Sequence, residues 1–244
     1  NSKKVELPID EVLLQDALGE LKALTGMANV KNEIEETVKL VRYYKEIGRD
    51  VKRSFSMHTV FTGNPGTGKT TVARILVKIY KALGILERGQ LIETDREGMV
   101  AGFVGQTAIK ADSMIEAAMG GGLFIDEAYA LSQGGENDFG REAIEALLKR
   151  MEDRRGDFIV IVAGYPDNMA IFLESNPGLK SRFDKFVHFE DYNAEELFTI
   201  ADNLLQKEYL FLDAAAGEHL KAYITQLVAA RNKYFGNART MRKL

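Results

Sequence analysis

The chain has no cysteine, only three histidines, and no apolar run near the roughly 18 residues that a bilayer span requires. Without cysteine, disulfides, thiol catalysis and cysteine–zinc sites are all excluded. His58, His188 and His219 share no metal-ligand spacing, and the first two fall in stretches that read as strands. Charge of one sign is also scarce. Against 36 Asp and Glu stand 32 Lys and Arg, a net charge of −4, so no global electrostatic case exists for a nucleic-acid partner. The basic cluster Lys149-Arg150 and Arg154-Arg155 is interleaved with Glu152 and Asp153 and lacks the aromatic platforms of a single-strand binder. It reads as a solvated helix end or a subunit interface.

What is present is core-forming material. Of 244 residues, 45% are hydrophobic and 28% charged, the composition of a soluble protein with one large domain or two smaller ones. The chain opens Asn1-Ser2 without an initiator methionine, which suggests a piece cut from a longer protein. Apolar residues at helical spacing (Val12, Leu13, Leu14, Ala17, Leu18, Leu21) predict a helix over 9–24. Val30, Ile34, Val38, Val41 and Tyr44 predict a second from about Ala28 to Ile47. Strands are expected at 57–62, 90–94, 122–126, 158–163 and 185–189, with helices at 69–83, 107–119 and 139–153 between them. Such alternation predicts an α/β fold, a five-stranded parallel sheet with helices on both faces.

After about residue 190 the strands stop. Asn193 and Glu196 form a capping-box pattern ahead of the stripe Leu197, Ile200, Ala201, Leu204 and Leu205. Asp213 starts another helix, burying Leu220, Ile224, Leu227 and Val228, and a third begins near Asn237-Ala238-Arg239 and is cut off at Leu244. The expected organisation is a large α/β unit over 1–190, with the helices of 1–54 packed on it, and a small helical unit over 191–244, incomplete at its C-terminus.

Residues 63–70 read Gly-Asn-Pro-Gly-Thr-Gly-Lys-Thr, a complete Walker A loop between a predicted strand and a predicted helix. Its glycines let backbone amides and the helix N-terminus face an anion. Asn64, Pro65, Gly66, Thr67, Gly68, Lys69, Thr70 and Thr71 are the candidate nucleotide-binding residues. Lys69 is placed to reach the β- and γ-phosphates and Thr70 to hold Mg²⁺. Further on, Gly122-Leu-Phe-Ile-Asp-Glu127 is an apolar strand ending in two acids. Asp126 is the candidate second Mg²⁺ ligand, directly or through water, and Glu127 the general base that polarises water. The competing reading is that both acids merely cap the next segment. A water-activating acid separates ATPases from simple kinases. The nearest string to a guanine-reading element, Asn232-Lys233-Tyr234-Phe235, lacks its aspartate, so ATP is expected rather than GTP.

Three further elements carry a family resemblance. Asn176–Asp184 (Asn-Pro-Gly-Leu-Lys-Ser-Arg-Phe-Asp) resembles the arginine-finger segment of AAA+ ATPases, and Gly236-Asn237-Ala238-Arg239 their sensor 2 motif in the helical lid. Met99–Gly105 (Met-Val-Ala-Gly-Phe-Val-Gly) resembles an aromatic pore loop. More narrowly, Gly122–Leu131, Ala163–Asp167 and Phe139–Ile144 resemble the branch holding red-type Rubisco activase and stage V sporulation protein K. The resemblance covers about Leu24 to the C-terminus and implies a P-loop NTPase of the AAA+ type with a C-terminal lid. It implies a ring, usually a hexamer, with Mg·ATP between subunits.

On that resemblance Arg182 reaches the neighbour's γ-phosphate; the alternative is a surface arginine paired with Asp184 or Glu190. Arg239 reaches the γ-phosphate of its own subunit, with Arg242 as competitor. Sensor 1 departs from the family's usual Asn or Thr and falls on Tyr165, which either positions water or is a packed aromatic. The base pocket involves Leu24, Thr25, Gly26 and Met27. Phe103, Val104 and Gly105 grip a polypeptide in a central pore, unless Phe103 is tucked into the core. The function expected is a cytoplasmic ATP hydrolase that remodels or threads a protein client, with no membrane partner. A nucleic-acid-directed loader and a nucleotide-gated scaffold are the alternatives; the acidic charge speaks against the first and the intact Glu127 and Arg182 against the second.

Overall fold

Five parallel strands carry the fold: β1 (Thr59–Gly63), β2 (Leu91–Thr94), β3 (Gly122–Ile125), β4 (Ile159–Gly164) and β5 (Lys185–Phe189). The computed structural model describes residues 7–54, 57–103, 105–134 and 138–243. The spatial order is β2-β3-β4-β1-β5. β1 lies inside the sheet, its Thr59 in register with Ile161 of β4 on one side and Lys185 of the edge strand β5 on the other. β3 and β4 are buried at every position, as their unbroken apolar runs require.

Parallel strands need crossover connections, and helices supply them on both faces. α1 (Glu11–Ala23), α2 (Ala28–Glu46), α3 (Val51–Ser54) and α4 (Lys69–Ala82) precede β2 in the chain. α5 (Arg96–Met99) and α6 (Thr107–Ala118) join β2 to β3; a 3₁₀ turn at Ala128–Ser132 and α7 (Gly140–Asp153) join β3 to β4; α8 (Pro166–Glu174) and α9 (Pro177–Arg182) join β4 to β5. Alternation along each strand divides the core between the faces. Phe61, Phe124, Ile159 and Ile161 pack under α1, α2 and α4, whereas Val60, Leu123, Ile125, Val160 and Val162 pack under α6, α7 and α8. The expected strands and long helices thus form, in the expected layers, within a residue or two of the sequence reading.

The short elements α3, α5, α8 and α9 were not anticipated, because four to nine residues give no usable period. Two carried punctuation all the same: α8 and α9 each start on a proline, and Asn176 caps α9 by accepting from the Gly178 amide at 2.8 Å. The C-terminal helices are α10 (Ala194–Lys207), α11 (Ala214–Ala229) and α12 (Ala238–Met241). The capping box forms in both directions, each hydrogen bond between Asn193 and Glu196 being 2.9 Å. Leu197, Ala201, Ile224, Phe235 and Met241 build a separate core with Tyr192. α11 buries only Ile224, fewer positions than its stripe predicts.

No helix among the described residues is long and apolar enough to cross a membrane. His58 is a half-buried, neutral acceptor: its Nδ1 takes the Val160 amide at 3.0 Å, and desolvation, reinforced by Arg182 and Arg155, pushes its pKa down to about 4. His188 pairs instead with the Thr62 hydroxyl at 3.0 Å.

Tyr80 on α4 is fully buried, and its hydroxyl has no hydrogen-bond partner among the described residues. A buried unsatisfied hydroxyl costs about 1–3 kcal/mol. Tyr80→Phe is therefore expected to raise unfolding stability by about 1 kcal/mol in urea titrations. A loss of that size would show that the hydroxyl has a partner.

Candidate functional site

At the carboxyl edge of β1, β3 and β4 lies a cavity of about 580 Å³, lined by Gly63, Asp126, Gly164 and the loop that follows β1. The loop turns through glycines at positive φ, Gly66 at 72° and Gly68 at 93°. Each is also sterically pinned. A Cβ on Gly66 would stand 2.2 Å from the Gly236 carbonyl oxygen, and one on Gly68 2.4 Å from Met27 Cε. Lys69, the first residue of α4, folds back over the loop and donates to the Gly63 and Asn64 carbonyls at 2.8 and 2.7 Å. Burial pulls its pKa down to about 8, opposed by Asp126 and assisted by Arg239. A cation desolvated among backbone oxygens, facing an open cavity, suits a polyanion.

The structure sorts the predicted residues. Pro65, Gly66, Gly68, Lys69, Thr70, Thr71, Met27, Asp126, Glu127, Tyr165 and Arg239 all line the one cavity. Asn64 and Thr67 buttress the loop instead. The Asn64 amide donates to Asp191, and Thr67, 1% exposed, donates its hydroxyl to the Asn64 carbonyl at 2.8 Å. Gly26 presents its Cβ direction to Glu196 at the start of α10 rather than to the cavity. The base-side turn is held by Lys31, whose ammonium donates to the Leu24 carbonyl at 2.5 Å.

Glu127 follows the strand at φ 47°, a left-handed conformation that costs a non-glycine residue about 1 kcal/mol or more. Two bonds hold it there: its amide donates to Asp126 Oδ1 at 3.1 Å, and its carbonyl accepts from Ala130 at 2.8 Å. The bend brings both acids to the cavity, where an extended strand would turn successive side chains apart. Neither acid accepts a first-turn helix-cap bond. Tyr165 heads α8 and packs at 6.2 Å from the Tyr129 ring and 5.9 Å, edge-on, from Tyr234 of the C-terminal unit. Burial raises its pKa, with Glu127 adding to the effect.

Arg182 is elsewhere. It precedes β5, whose first residue Lys185 pairs with Thr59, so it lies at the amino edge of the sheet. There it donates to Glu152 at 3.0 Å and to the Gly178 carbonyl at 3.3 Å. Glu152 on α7 is thus an acidic partner of Arg182 that the sequence reading, which named Asp184 and Glu190, did not anticipate. Phe103 is 71% exposed, which rules out the core-tucked alternative, and Gly105 is also exposed with φ 75°. Val104 lies outside the described residues.

Sequence reasoning missed several contributors. Arg74, Arg242, Tyr192 and, on α10, Asn203 and Lys207 also line the cavity. Arg242 was considered only as a competitor to Arg239, yet both face the same space, one turn apart. Helical spacing on α10 and α12 held that signal, but only the docking of those helices against the loop shows which face matters.

Sheet order, Walker loop and paired acids define a P-loop NTPase. The pattern of the ATPase family associated with various cellular activities (AAA) matches residues 59–191, and that of the AAA lid domain residues 193–244. The chain belongs to the AAA family and is an ATP hydrolase of that family. It is 40% identical to stage V sporulation protein K of Bacillus subtilis (strain 168) over 95% of this chain and 73% of that protein. It is 41% identical to the chloroplastic ribulose bisphosphate carboxylase/oxygenase activase of Cyanidioschyzon merolae over 94% of this chain and 79% of the relative. These place it in the branch anticipated from its motifs. The fold is also that of the FIGL-1 AAA domain in complex with ADP, with a TM-score of 0.62 and 18% identity over 90% of this chain and 69% of the other.

The depressed Lys69 pKa sets a pH dependence. A bound triphosphate stabilises the ammonium and raises its pKa, so binding above about pH 8 takes up a proton. ATP affinity is expected to fall by up to about tenfold per pH unit above that point. Calorimetry from about pH 7.5 to 9.5 should show this slope in the wild type and none in Lys69→Met. Equal slopes would take Lys69 out of the effect.

Proposed function

We propose that the chain hydrolyses Mg·ATP as one subunit of a ring, hexameric in the assembled protein, and uses turnover to remodel or thread a protein client in the cytoplasm. One observation carries this reading: Lys69, Thr70, Asp126 and Glu127 converge on a single cavity that the lid also lines. Thr70 and Asp126 would hold Mg²⁺, which when bound neutralises charge on the β- and γ-phosphate oxygens. The amides of residues 66–70 and the Lys69 ammonium grip the phosphates, while Leu24, Thr25 and Met27 on one side and Ile200 and Leu204 on the other enclose the base. Glu127 takes a proton from the attacking water as its oxygen bonds to the γ-phosphorus and the bond to ADP breaks. Arg239 stabilises charge on the γ-phosphate from the lid. Tyr165 orients water through its hydroxyl.

The position of Arg182 supports the ring. β1 has five residues, about 17 Å of strand, and separates the amino edge where Arg182 sits from the carboxyl edge where the loop begins. Its own cavity is out of reach, and a neighbour's is the natural target of a charge-stabilising finger. The exposed, glycine-flanked Phe103 supports a polypeptide client. So does the likeness to an activase of a carboxylase, a protein named for acting on another protein.

Glu127→Gln should bind ATP but turn it over about 10²–10⁴-fold more slowly, measured as phosphate release; near-normal turnover would remove Glu127 from the mechanism. Arg182→Ala should lose about 10³-fold or more, and mixing it with Lys69→Ala subunits should restore activity in mixed rings. Full activity of Arg182→Ala alone would end the trans assignment. Unfolded polypeptide should stimulate the wild type and not Phe103→Ala. Stimulation by DNA instead, indifferent to Phe103, would favour a nucleic-acid loader.

A further inference from the structure

The joint between the sheet and the lid contains a polar link to the phosphate loop. Asp191 lies in the short segment between β5 and α10. Its carboxylate accepts from two side-chain amides on separate elements: Asn64 Nδ2 at 3.0 Å from each oxygen, and Asn237 Nδ2 at 2.7 Å from Oδ1. Asn237 is fully buried at the start of α12. Its amide nitrogen also reaches the Pro65 and Phe235 carbonyls at 3.3 and 3.1 Å, and its Oδ1 accepts the Tyr192 amide at 3.0 Å. The backbone repeats the connection, Ala238 donating to the Gly66 carbonyl at 3.2 Å. Asn237 holds φ 47°, an unfavourable value for a residue with a side chain, which this set of bonds compensates.

We propose that Asp191 is a positioning residue that joins the phosphate loop and the lid into one hydrogen-bonded unit, so that rotation of the lid moves the start of the loop. Hydrogen bonds to a carboxylate are the stronger kind, and partial burial strengthens them further. A simple hinge needs no bond to Asn64. With it, the turn that carries Arg239 into the cavity is registered against the residue that begins the phosphate cradle. Opening the lid therefore loosens the loop, and ordering the loop draws in the lid. The proposal rests on the ATP-binding reading of this cavity, but its test does not.

Amide hydrogen exchange of the ligand-free protein decides it. Asn237→Gly removes the amide and relieves the positive φ; Asn64→Ala cuts the link from the loop side; Asp191→Ala removes the carboxylate. Each variant should speed exchange about tenfold at both 66–69 and 238–241, with β3 unchanged. In the wild type, Mg·ATP should slow exchange at both segments. If Asn237→Gly loosens only 238–241 and Asn64→Ala only 66–69, loop and lid move independently and the proposal falls. A wild type that binds no ATP would sink the function proposed above, while the ligand-free comparison would still decide the link.

Discussion

An ammonium held out of water at the mouth of a glycine-rich turn is the constraint on which the rest of this structure depends. The Gly63 and Asn64 carbonyls satisfy it. That arrangement preserves the charge at neutral pH, at the cost of a depressed pKa. It also suits the place of β1 inside the sheet: the loop that bears the cation starts from a strand paired on both sides. The acids at the end of β3 and the arginines of the lid are then arranged around one fixed positive charge.

Opposite edges of the sheet carry different work. The carboxyl edge gathers loop, acids and lid, whereas the amino edge holds Arg182 against Glu152 beside the neutral His58. The chain therefore holds a cavity at one edge and, a strand length away, a guanidinium that does not reach it. Two cores divided by the sheet keep the edges rigid relative to each other. The third core, under α10 to α12, is separate, and the lid is joined to the body by polar contacts, by Met27, which packs against both cores, and by the Tyr165–Tyr234 ring contact.

Much of this was legible in the sequence, and what was legible was local. The Walker loop and the acid pair are contiguous strings, and the strands are apolar runs whose alternation sets the layers. The capping box at Asn193 and Glu196 needs only three residues of spacing. What stayed hidden depends on partners far away in sequence. Asn64 was read as a phosphate contact by its place in the motif, but its side chain is engaged by Asp191, 127 positions on. Gly26 was assigned to the base pocket, yet its open side faces Glu196. Asp191 carried no signal, and Asn237 was read only as part of the Gly236–Arg239 motif, not as a link to the phosphate loop. The left-handed bend at Glu127 has no sequence mark at all; a strand-end reading put the acids in the right place without the geometry that makes it possible.

Gly66 and Gly236 meet main chain to main chain, across 170 positions of sequence, with no room for a methyl group between them. A seam of this sort has no rotamers to reshuffle. Ala238 donates to the Gly66 carbonyl at the same place, so the two backbones are held together with no side chain between them to give way. Any residue larger than glycine at 66 would drive a wedge between loop and lid.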